Sequence, residues 1–235
     1  MARHIPRIYY DNCNINNNEL ILPERWNNHL IKVFRIKIDD KVIIYNKQYG
    51  EWLCNITSIN NNTIIVKPNR LLRKHTRINT IILAFCLIKF DNIKLIIEKC
   101  TELGITDFYP LISDYTQYNN ININKLNMIA IQASEQSERL DVSNIHSISN
   151  IIEFINDLPN KITWYSAIER ISNNSNRDIS NNNIGFIIGP EGGFSNREKE
   201  LLITKTKPIN LSSNILRAET ACISCASIAS YLNKC

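Results

Sequence analysis

The spacing of apolar residues divides this chain of 235 residues into two parts. Up to Pro68, short apolar runs that alternate with polar residues predict strands, and turn clusters separate them. One helix interrupts the series and begins near Pro23. Several short strands at close spacing indicate a small β-barrel. The predicted strands cover 5–10, 41–46, 51–59 and 63–67, and the predicted helix covers 23–34.

Beyond Asn79 the apolar runs alternate with segments of helical period. A buried strand, a helix stopped by Gly104 and another strand follow one another, which is the pattern of a parallel crossover unit. This alternation predicts an α/β domain with about five parallel strands. The predicted strands are 81–88, 105–111, 161–167, 184–188 and 208–211, and the predicted helices are 91–103, 123–140, 150–157 and 218–232.

Two polar loops each follow a predicted strand and precede a predicted helix. The first, 189–193, is rich in glycine and is followed by Ser195 and Glu198, which have the spacing of a capping box. The second, 211–217, leads into the last helix, whose first turn carries Glu219. Loops at the carboxyl ends of parallel strands form ligand crevices in α/β sheets. The G-x-G-x-x-G and P-loop patterns are absent from the sequence, which argues against a site that binds a nucleotide through its phosphates.

The amino-acid sequences of these loops are more specific to a family than their positions are. They read G-P-E-G-G-F-S from Gly189 and I-L-R-A-E-T-A from Ile215. The combination resembles the SPOUT methyltransferases and, within them, the ribosomal RNA small subunit methyltransferase E family, which methylates uridine N3 in 16S ribosomal RNA. Segments 5–9, 29–35, 98–104 and 135–139 are similar to the same family in the same order.

The resemblance implies a fold and a cofactor. The expected fold is α/β, with an N-terminal PUA-like β-barrel over residues 1–73 and a SPOUT methyltransferase domain with a C-terminal trefoil knot over residues 74–235. The expected cofactor is S-adenosyl-L-methionine, held mainly by main-chain groups of the two loops. The residues expected to bind it are Ile188, Gly189, Pro190, Glu191, Gly192, Gly193, Leu211, Ser212, Ile215, Leu216, Arg217 and Thr220.

Methylation of uridine N3 sets requirements for the catalytic residues. The nitrogen carries a proton at neutral pH, so the reaction needs a base, a relay water or a cation that stabilises the anion. Arg217 is the favoured cation because it lies between the second loop and the last helix, and Arg139 and Arg7 are alternatives. The sequence leaves the choice of base open. The candidate carboxylates are Glu135, Glu191 and Glu219.

A moderate basic excess is compatible with an RNA partner. The formal net charge is +5 and the isoelectric point is about 8.8. The expected partners are 16S ribosomal RNA or the assembled small ribosomal subunit, together with a second copy of the chain in a homodimer. The residues expected to contact RNA phosphates are Arg7, His29, Lys32, Arg35, Arg70, Arg73 and Lys74.

Three positions depart from the pattern of the family. Ser212 stands where glycine is general, so an altered loop and an altered cofactor affinity are expected if the position needs positive φ. Tyr115 stands where arginine is frequent, which removes one possible RNA contact. Ser143 stands where proline is usual, which concerns the rigidity of that loop.

The remaining composition favours a soluble cytoplasmic protein. Seven cysteines without a secretion signal indicate reduced thiols, and Cys222 and Cys225 are predicted as small core residues rather than metal ligands. The longest apolar run is too short to span a membrane. Two alternatives to the main hypothesis remain: a SPOUT methyltransferase acting on another RNA such as transfer RNA, and a non-catalytic RNA-binding SPOUT protein.

Overall fold

The structure is a computed structural model that describes residues 5–11, 13–16, 19–60, 63–76, 79–168, 179 and 183–233. The chain forms two compact units. The N-terminal unit comprises Met1–Arg77 and Ser134–Val142, and the C-terminal unit comprises Ile78–Ala133 and Ser143–Cys235. A segment far along the chain therefore belongs to the N-terminal unit.

The N-terminal unit is built on a five-stranded sheet in the order β1-β3-β4-β5-β2. Neighbouring strands are antiparallel except for the parallel pair β1 and β3. A helix, α1, continues into a π-helical turn, Leu30–Phe34, and ends at Arg35 in the left-handed conformation. The elements are β1 (Arg7–Tyr9), β2 (Leu20–Ile21), α1 (Glu24–His29), β3 (Lys41–Asn46), β4 (Gly50–Asn60) and β5 (Thr63–Arg73).

The long hairpin β4–β5 is irregular. Its register shifts at three places, and such bulges bend and twist a strand pair around its core. One shift lies beside Cys54, which pairs with Pro68, where a missing backbone N–H is tolerated. β5 therefore runs on to Arg73, so the basic residues from Arg70 onward extend a strand where the sequence predicted a link. The core between these elements includes Ile8, Leu22, Leu30, Val42, Ile44, Cys54, Ile56, Ile64 and Val66.

The C-terminal unit contains a parallel sheet in the order β12-β10-β11-β6-β7-β8, with β9 also paired to β7. The five predicted parallel strands are present, and two very short ones, β8 and β9, join them. The strands are β6 (Ile81–Cys86), β7 (Asp107–Ile112), β8 (Asn144–Ile145), β9 (Ser149–Asn150), β10 (Thr163–Ala167), β11 (Ile184–Ile188) and β12 (Lys207–Ile209).

Helices cover this sheet. The last helix, α6, begins and ends at the predicted residues, whereas α3 ends four residues before the predicted position 140. α6 packs against α2, β6 and β11. The helices are α2 (Phe90–Glu102), α3 (Ile123–Gln136), α4 (Ile151–Asn156), α5 (Asn196–Lys205) and α6 (Ala218–Leu232).

Small buried residues allow the close approach of α6 to its neighbours. Cys222 and Cys225 are fully buried there, and burial raises the pKa of the Cys222 thiol well above its usual value. These thiols are therefore unreactive core groups at neutral pH. Among the described residues, no group of three His, Cys, Asp or Glu side chains is arranged to hold a metal ion. The described helices include none with the length and apolar character of a membrane span.

Candidate active site

The two polar loops lie at the same edge of the parallel sheet. The first follows β11 and the second follows β12, and β10 pairs with both strands. Because the three strands are parallel, their carboxyl ends meet at this edge. The loops therefore flank a common crevice above the end of β10, as the order of strands and loops in the sequence predicted.

The crevice is a cavity of about 410 Å³. Eleven of the twelve residues predicted to bind cofactor line it, and the twelfth, Thr220, is exposed on α6 outside the lining. The predicted lining residues are Ile188, Gly189, Pro190, Glu191, Gly192, Gly193, Leu211, Ser212, Ile215, Leu216 and Arg217. The lining residues outside this predicted set are Ala167, Ile168, Phe194, Lys199, Ile209, Asn210, Asn214, Ala218 and Ala221.

The first loop is a tight turn packed on an aromatic ring. The backbone N–H of Gly193, at φ 72°, donates to the Pro190 carbonyl oxygen at 2.9 Å, and this left-handed φ favours glycine. A Cβ atom on Gly189 would lie 3.1 Å from the buried Phe194 ring. Glycine at both positions therefore keeps main-chain groups at the cavity surface.

A capping network fixes the start of α5 below this loop. The buried Glu198 carboxylate accepts hydrogen bonds from the backbone N–H of Ser195 and of Asp114, each at 2.8 Å. The Ser195 hydroxyl donates to Asp114 at 2.6 Å. The predicted capping box is confirmed. It also ties the first loop to the segment after β7, a link that sequence spacing alone does not reveal.

The second loop reaches the N-terminus of α6. Arg217 is the residue before the helix, with an extended backbone and an exposed side chain. Ser212 is not one of the described non-glycine residues with positive φ, so serine causes no left-handed strain there. Its hydroxyl accepts from the backbone N–H of Asn214 at 3.1 Å. An altered loop was expected from the sequence only if Ser212 needed a positive φ, and that condition is not met.

Charges at the cavity have a net positive balance. Arg217 and Lys199 contribute two cations, and Glu191 contributes one exposed carboxylate. Glu219, the other nearby candidate, is 9% exposed in the first turn of α6 and does not line the cavity. A carboxylate in that turn interacts favourably with the helix dipole. Of the six catalytic candidates, the structure places Arg217 and Glu191 at the cavity.

Two further catalytic candidates, Glu135 and Arg139, lie in the segment 134–142 that belongs to the N-terminal unit. Glu135 accepts a hydrogen bond from the backbone N–H of Tyr9 at 2.9 Å. Burial raises the pKa of Glu135 to about 7, against the opposing effects of this hydrogen bond and of nearby arginines. The Arg139 guanidinium forms an ion pair with Asp141 at 3.1 Å. Both side chains thus have structural contacts within this unit.

The raised pKa of Glu135 predicts a pH-dependent effect of Glu135→Gln on stability. Since the folded pKa exceeds the unfolded one, the favourable contribution of the protonated carboxyl is lost as the pH rises through about 7. We expect the variant to be more stable than the wild type by about 1–2 kcal/mol at pH 8.5 and equal to it near pH 4.5. Urea titrations at the two pH values measure the difference; an equal effect at both would contradict the assignment.

Most of the predicted RNA-binding residues are exposed, but Arg7 is not. Its side chain is only 7% exposed and pairs with Glu51 at 2.7 Å. Its guanidinium also donates to the Glu135 and Arg139 carbonyl oxygens at 3.0 and 3.1 Å. This placement does not support a phosphate contact by Arg7. The exposed members of the set are His29, Lys32, Arg35, Arg70, Arg73 and Lys74.

Arg73 has internal partners despite its exposure. It forms hydrogen bonds with both carboxylate oxygens of Glu51 and donates to the Glu138 carbonyl oxygen at 2.9 Å. Burial alone would raise the pKa of Glu51, but the hydrogen bonds from Arg73 and Arg7 outweigh it and lower this pKa. Glu51 is therefore an ionised carboxylate held between two arginines.

Comparison with known proteins gives the class of protein that carries this fold and cavity. Residues 75–230 match the family model described as an RNA methyltransferase domain, and residues 28–69 match that of an RNA methyltransferase PUA domain. The chain is thus an RNA methyltransferase by class, and the expected N-terminal PUA-like domain is confirmed.

Individual relatives define the family more closely. The chain is 38% identical to ribosomal RNA small subunit methyltransferase E of Rickettsia conorii, over 92% of this chain and 91% of the relative. It is 30% identical to the protein of that name from Buchnera aphidicola subsp. Schizaphis graminum, over 95% and 94% of the two chains. The chain belongs to the ribosomal RNA small subunit methyltransferase E family.

A solved structure shows the same fold. Ribosomal RNA small subunit methyltransferase E from Neisseria gonorrhoeae, bound to S-adenosyl methionine, superimposes with a TM-score of 0.85. The match covers 97% of this chain and 98% of the other at 23% identity. At this identity the likeness establishes a shared fold, and the chemistry must be argued from the residues of this chain.

Proposed function

We propose that this chain transfers the methyl group of S-adenosyl-L-methionine to N3 of a uridine in 16S ribosomal RNA. The main supporting observation is the cavity between the two loops that follow β11 and β12, in a member of this methyltransferase family. The two loops present backbone groups, the Arg217 cation and the Glu191 carboxylate to the same space, and Lys199 of α5 adds a second cation. These groups suit a polar nucleoside ligand and an anionic reaction partner.

The residues of the cavity fit the cofactor. Its volume of about 410 Å³ lies within the range of about 300–1,000 Å³ that is typical of small-molecule sites. The backbone of 188–193 and 211–216 would hold adenine and ribose, and Pro190, Ile215 and Leu216 would form apolar walls. When bound, S-adenosyl-L-methionine supplies a methyl group on a positively charged sulfur. No metal ligand set is needed for this chemistry.

Two side chains at the cavity have proposed roles in activating the uridine. The exposed Glu191 carboxylate receives the proton from N3. Arg217 then stabilises the negative charge that spreads over N3 and the neighbouring carbonyl oxygens, for which its planar fork is suited. Glu219 supports the start of α6 from its buried position. Glu135 and Arg139 stabilise the N-terminal unit through their contacts with Tyr9 and Asp141.

Lys199 is proposed to bind the amino-acid carboxylate of the cofactor. It is exposed on the second turn of α5 and lines the cavity. Lys199→Ala should weaken S-adenosylhomocysteine binding about tenfold and leave 5′-methylthioadenosine, which has no carboxylate, nearly unaffected. Calorimetry with both ligands measures this, and Lys205→Ala, at the exposed end of α5, is the control. Equal losses for the two ligands would contradict a carboxylate contact.

Exposed basic residues of the N-terminal unit are proposed to bind RNA phosphates. The set is His29, Lys32, Arg35, Arg70 and Lys74, with Arg73 sharing its guanidinium with Glu51. Tyr9 and Tyr10 on the same unit are half-buried, so each ring has only part of its surface available for stacking on bases.

Removing three of these cations should reduce the salt dependence of RNA binding. The triple variant Lys32→Ala, Arg70→Ala, Lys74→Ala is expected to lower the slope of log affinity against log salt by about 2, since each phosphate contact contributes about 0.7–0.9. Titrations between low and moderate salt measure the slope. Lys161→Ala with Lys205→Ala, two exposed lysines of the C-terminal unit, is the control. An unchanged slope in the triple variant would exclude this surface.

Further features of the family are proposed for this chain. The functional division is RNA binding by residues 1–73 and methyl transfer by residues 74–235, in the cytoplasm. Small residues on the buried side of α6, such as Ala226 and Ala229, support a C-terminal trefoil knot.

Exposed Ile203, Ile215 and Tyr231 support a homodimer, which sedimentation equilibrium would distinguish from a monomer of 27.2 kDa.

Mapping the missing methyl mark tests the proposed activity in cells. N3 methylation blocks base pairing, so reverse transcriptase stops at the modified uridine. In a strain without the gene, we expect one stop in 16S ribosomal RNA to disappear and to return with the wild-type chain. A stop lost from transfer RNA would favour the alternative substrate. If no mark is lost, the chain is an RNA-binding protein without this activity.

A further inference from the structure

Tyr115 is an exposed aromatic residue beside the cavity loop. It lies three residues beyond the end of β7, and its side chain is 53% exposed. A Cβ atom placed on Gly192, which lines the cavity, would lie 3.1 Å from the Tyr115 Cβ and 3.8 Å from its Cγ. The base of the tyrosine side chain thus packs directly on the first loop while its ring faces solvent.

Hydrogen bonds on both sides fix the backbone of Tyr115. The preceding residue, Asp114, is bonded through its N–H to Glu198 and through its carboxylate to the Ser195 hydroxyl. The following residue, Thr116, donates through its N–H to the Ser113 carbonyl at 3.1 Å, and its hydroxyl accepts from the Ser113 N–H at 2.9 Å. The ring is therefore presented from a rigid support that also holds the first cavity loop.

Among the residues that the structure describes, none is a partner that accounts for the exposed ring. Within the described part of the chain, its hydroxyl forms no hydrogen bond and its ring stacks on no other ring. A large aromatic surface in water adds little to stability by itself. Its position beside the first cavity loop, on a segment held by the capping network of α5, is suited to a planar ligand arriving from solvent.

We propose that Tyr115 is the stacking platform for the target base. This inference rests on the proposed function, since a base that is methylated at N3 must leave its stack and lie beside the cofactor cavity. An aromatic ring replaces the lost base stacking, and this contact depends on the ring rather than on hydrogen bonding. Tyr115 is thus a positioning residue for RNA, and the loop residues retain the cofactor.

Single-turnover methylation with saturating cofactor and varied RNA tests this role. Tyr115→Ala should lower the rate constant over KM for 16S ribosomal RNA by about 10- to 100-fold, whereas Tyr115→Phe, which keeps the ring, should stay within about threefold of the wild type. Calorimetry should give nearly unchanged S-adenosyl-L-methionine affinity for both variants. Tyr118→Ala, 41% exposed in the same connection, is the matched control and should have a much smaller effect.

An RNA whose mapped target uridine is replaced by an abasic nucleotide separates stacking from structural effects. Wild type and Tyr115→Ala should bind this RNA equally, because no base is present to stack, but should differ on the intact RNA. A persistent difference, full activity of Tyr115→Ala, or equal losses in Tyr118→Ala would overturn the role of Tyr115. Failure of the wild-type chain to methylate RNA would instead refute the proposed function.

Discussion

Arg217→Ala should slow methyl transfer by about 30- to 1,000-fold, because a charge-assisted contact to the reacting anion contributes about 2–4 kcal/mol in the transition state. Arg217 lies at the cavity rim immediately before α6 with an exposed guanidinium. Arg217→Lys keeps the charge but loses the planar fork, so it should also reduce turnover clearly. Single-turnover assays with saturating cofactor measure both rates.

Cofactor binding distinguishes the catalytic role of Arg217 from a structural one. Since main-chain groups are assigned to the cofactor, its calorimetric affinity should change little in either variant. Arg197→Ala removes another exposed arginine, in the first turn of α5 outside the cavity lining, and should leave the rate unchanged. If the whole defect of Arg217→Ala were a loss of cofactor affinity, Arg217 would belong to the cofactor loop instead.

Glu51→Ala should destabilise the N-terminal unit by about 3–5 kcal/mol, because it leaves the buried Arg7 guanidinium without its counter-charge. Glu51 is 4% exposed and forms ion pairs with both Arg7 and Arg73. Hydrogen exchange of peptides from β3 to β5 reports the local free energy of unfolding separately from the C-terminal unit. The matched control Glu138→Ala removes a carboxylate that is 71% exposed and should have a small effect.

The lowered pKa of Glu51 gives this prediction a pH dependence. A carboxylate whose folded pKa is depressed contributes stability above its unfolded pKa and loses it as the pH falls through the folded pKa. The difference between wild type and Glu51→Ala should therefore be full at neutral pH and shrink in acid. A difference that is small at pH 7, or that grows in acid, would contradict the buried pairing with the two arginines.

Periodicity predicted the long elements of the fold because burial determines them directly. Every residue of β6 and of β11 is buried, and continuous apolar runs of this kind are typical of parallel strands covered on both faces. α6 likewise follows from its apolar composition. The two-residue strands β8 and β9 have no periodic signal, because their pairing with β7 is a property of the assembled sheet.

The surroundings of individual charges could not be predicted from sequence. Arg7 was grouped with exposed cations, but it is buried because Glu51, 44 residues away, supplies its counter-charge. The segment 134–142 joins the N-terminal unit through the carbonyl oxygens that Arg7 binds. Pairings at such distances along the chain leave no local pattern, so helical period alone predicted one helix continuing to residue 140.

The candidate site was predicted where consecutive residues form it. Each of the two loops is a run of consecutive residues whose backbone groups line the cavity, and the sequence motifs of the loops predicted this. Ala167 and Ile168 were missed because they line the cavity only through the position of β10 between β11 and β12. Lys199 was missed although its place one turn into the capped helix could have indicated that it points back toward the loop.

Nucleoside analysis after transfer in vitro tests the central claim most directly. The purified chain is incubated with methyl-labelled S-adenosyl-L-methionine and small ribosomal subunits, or their 16S ribosomal RNA, from a strain that lacks the gene. The RNA is digested and its nucleosides are separated and identified by mass spectrometry. We predict one labelled product, N3-methyluridine, which Arg217→Ala forms far more slowly. Label on a ribose or on another base, or RNA binding without any label, would contradict the claim.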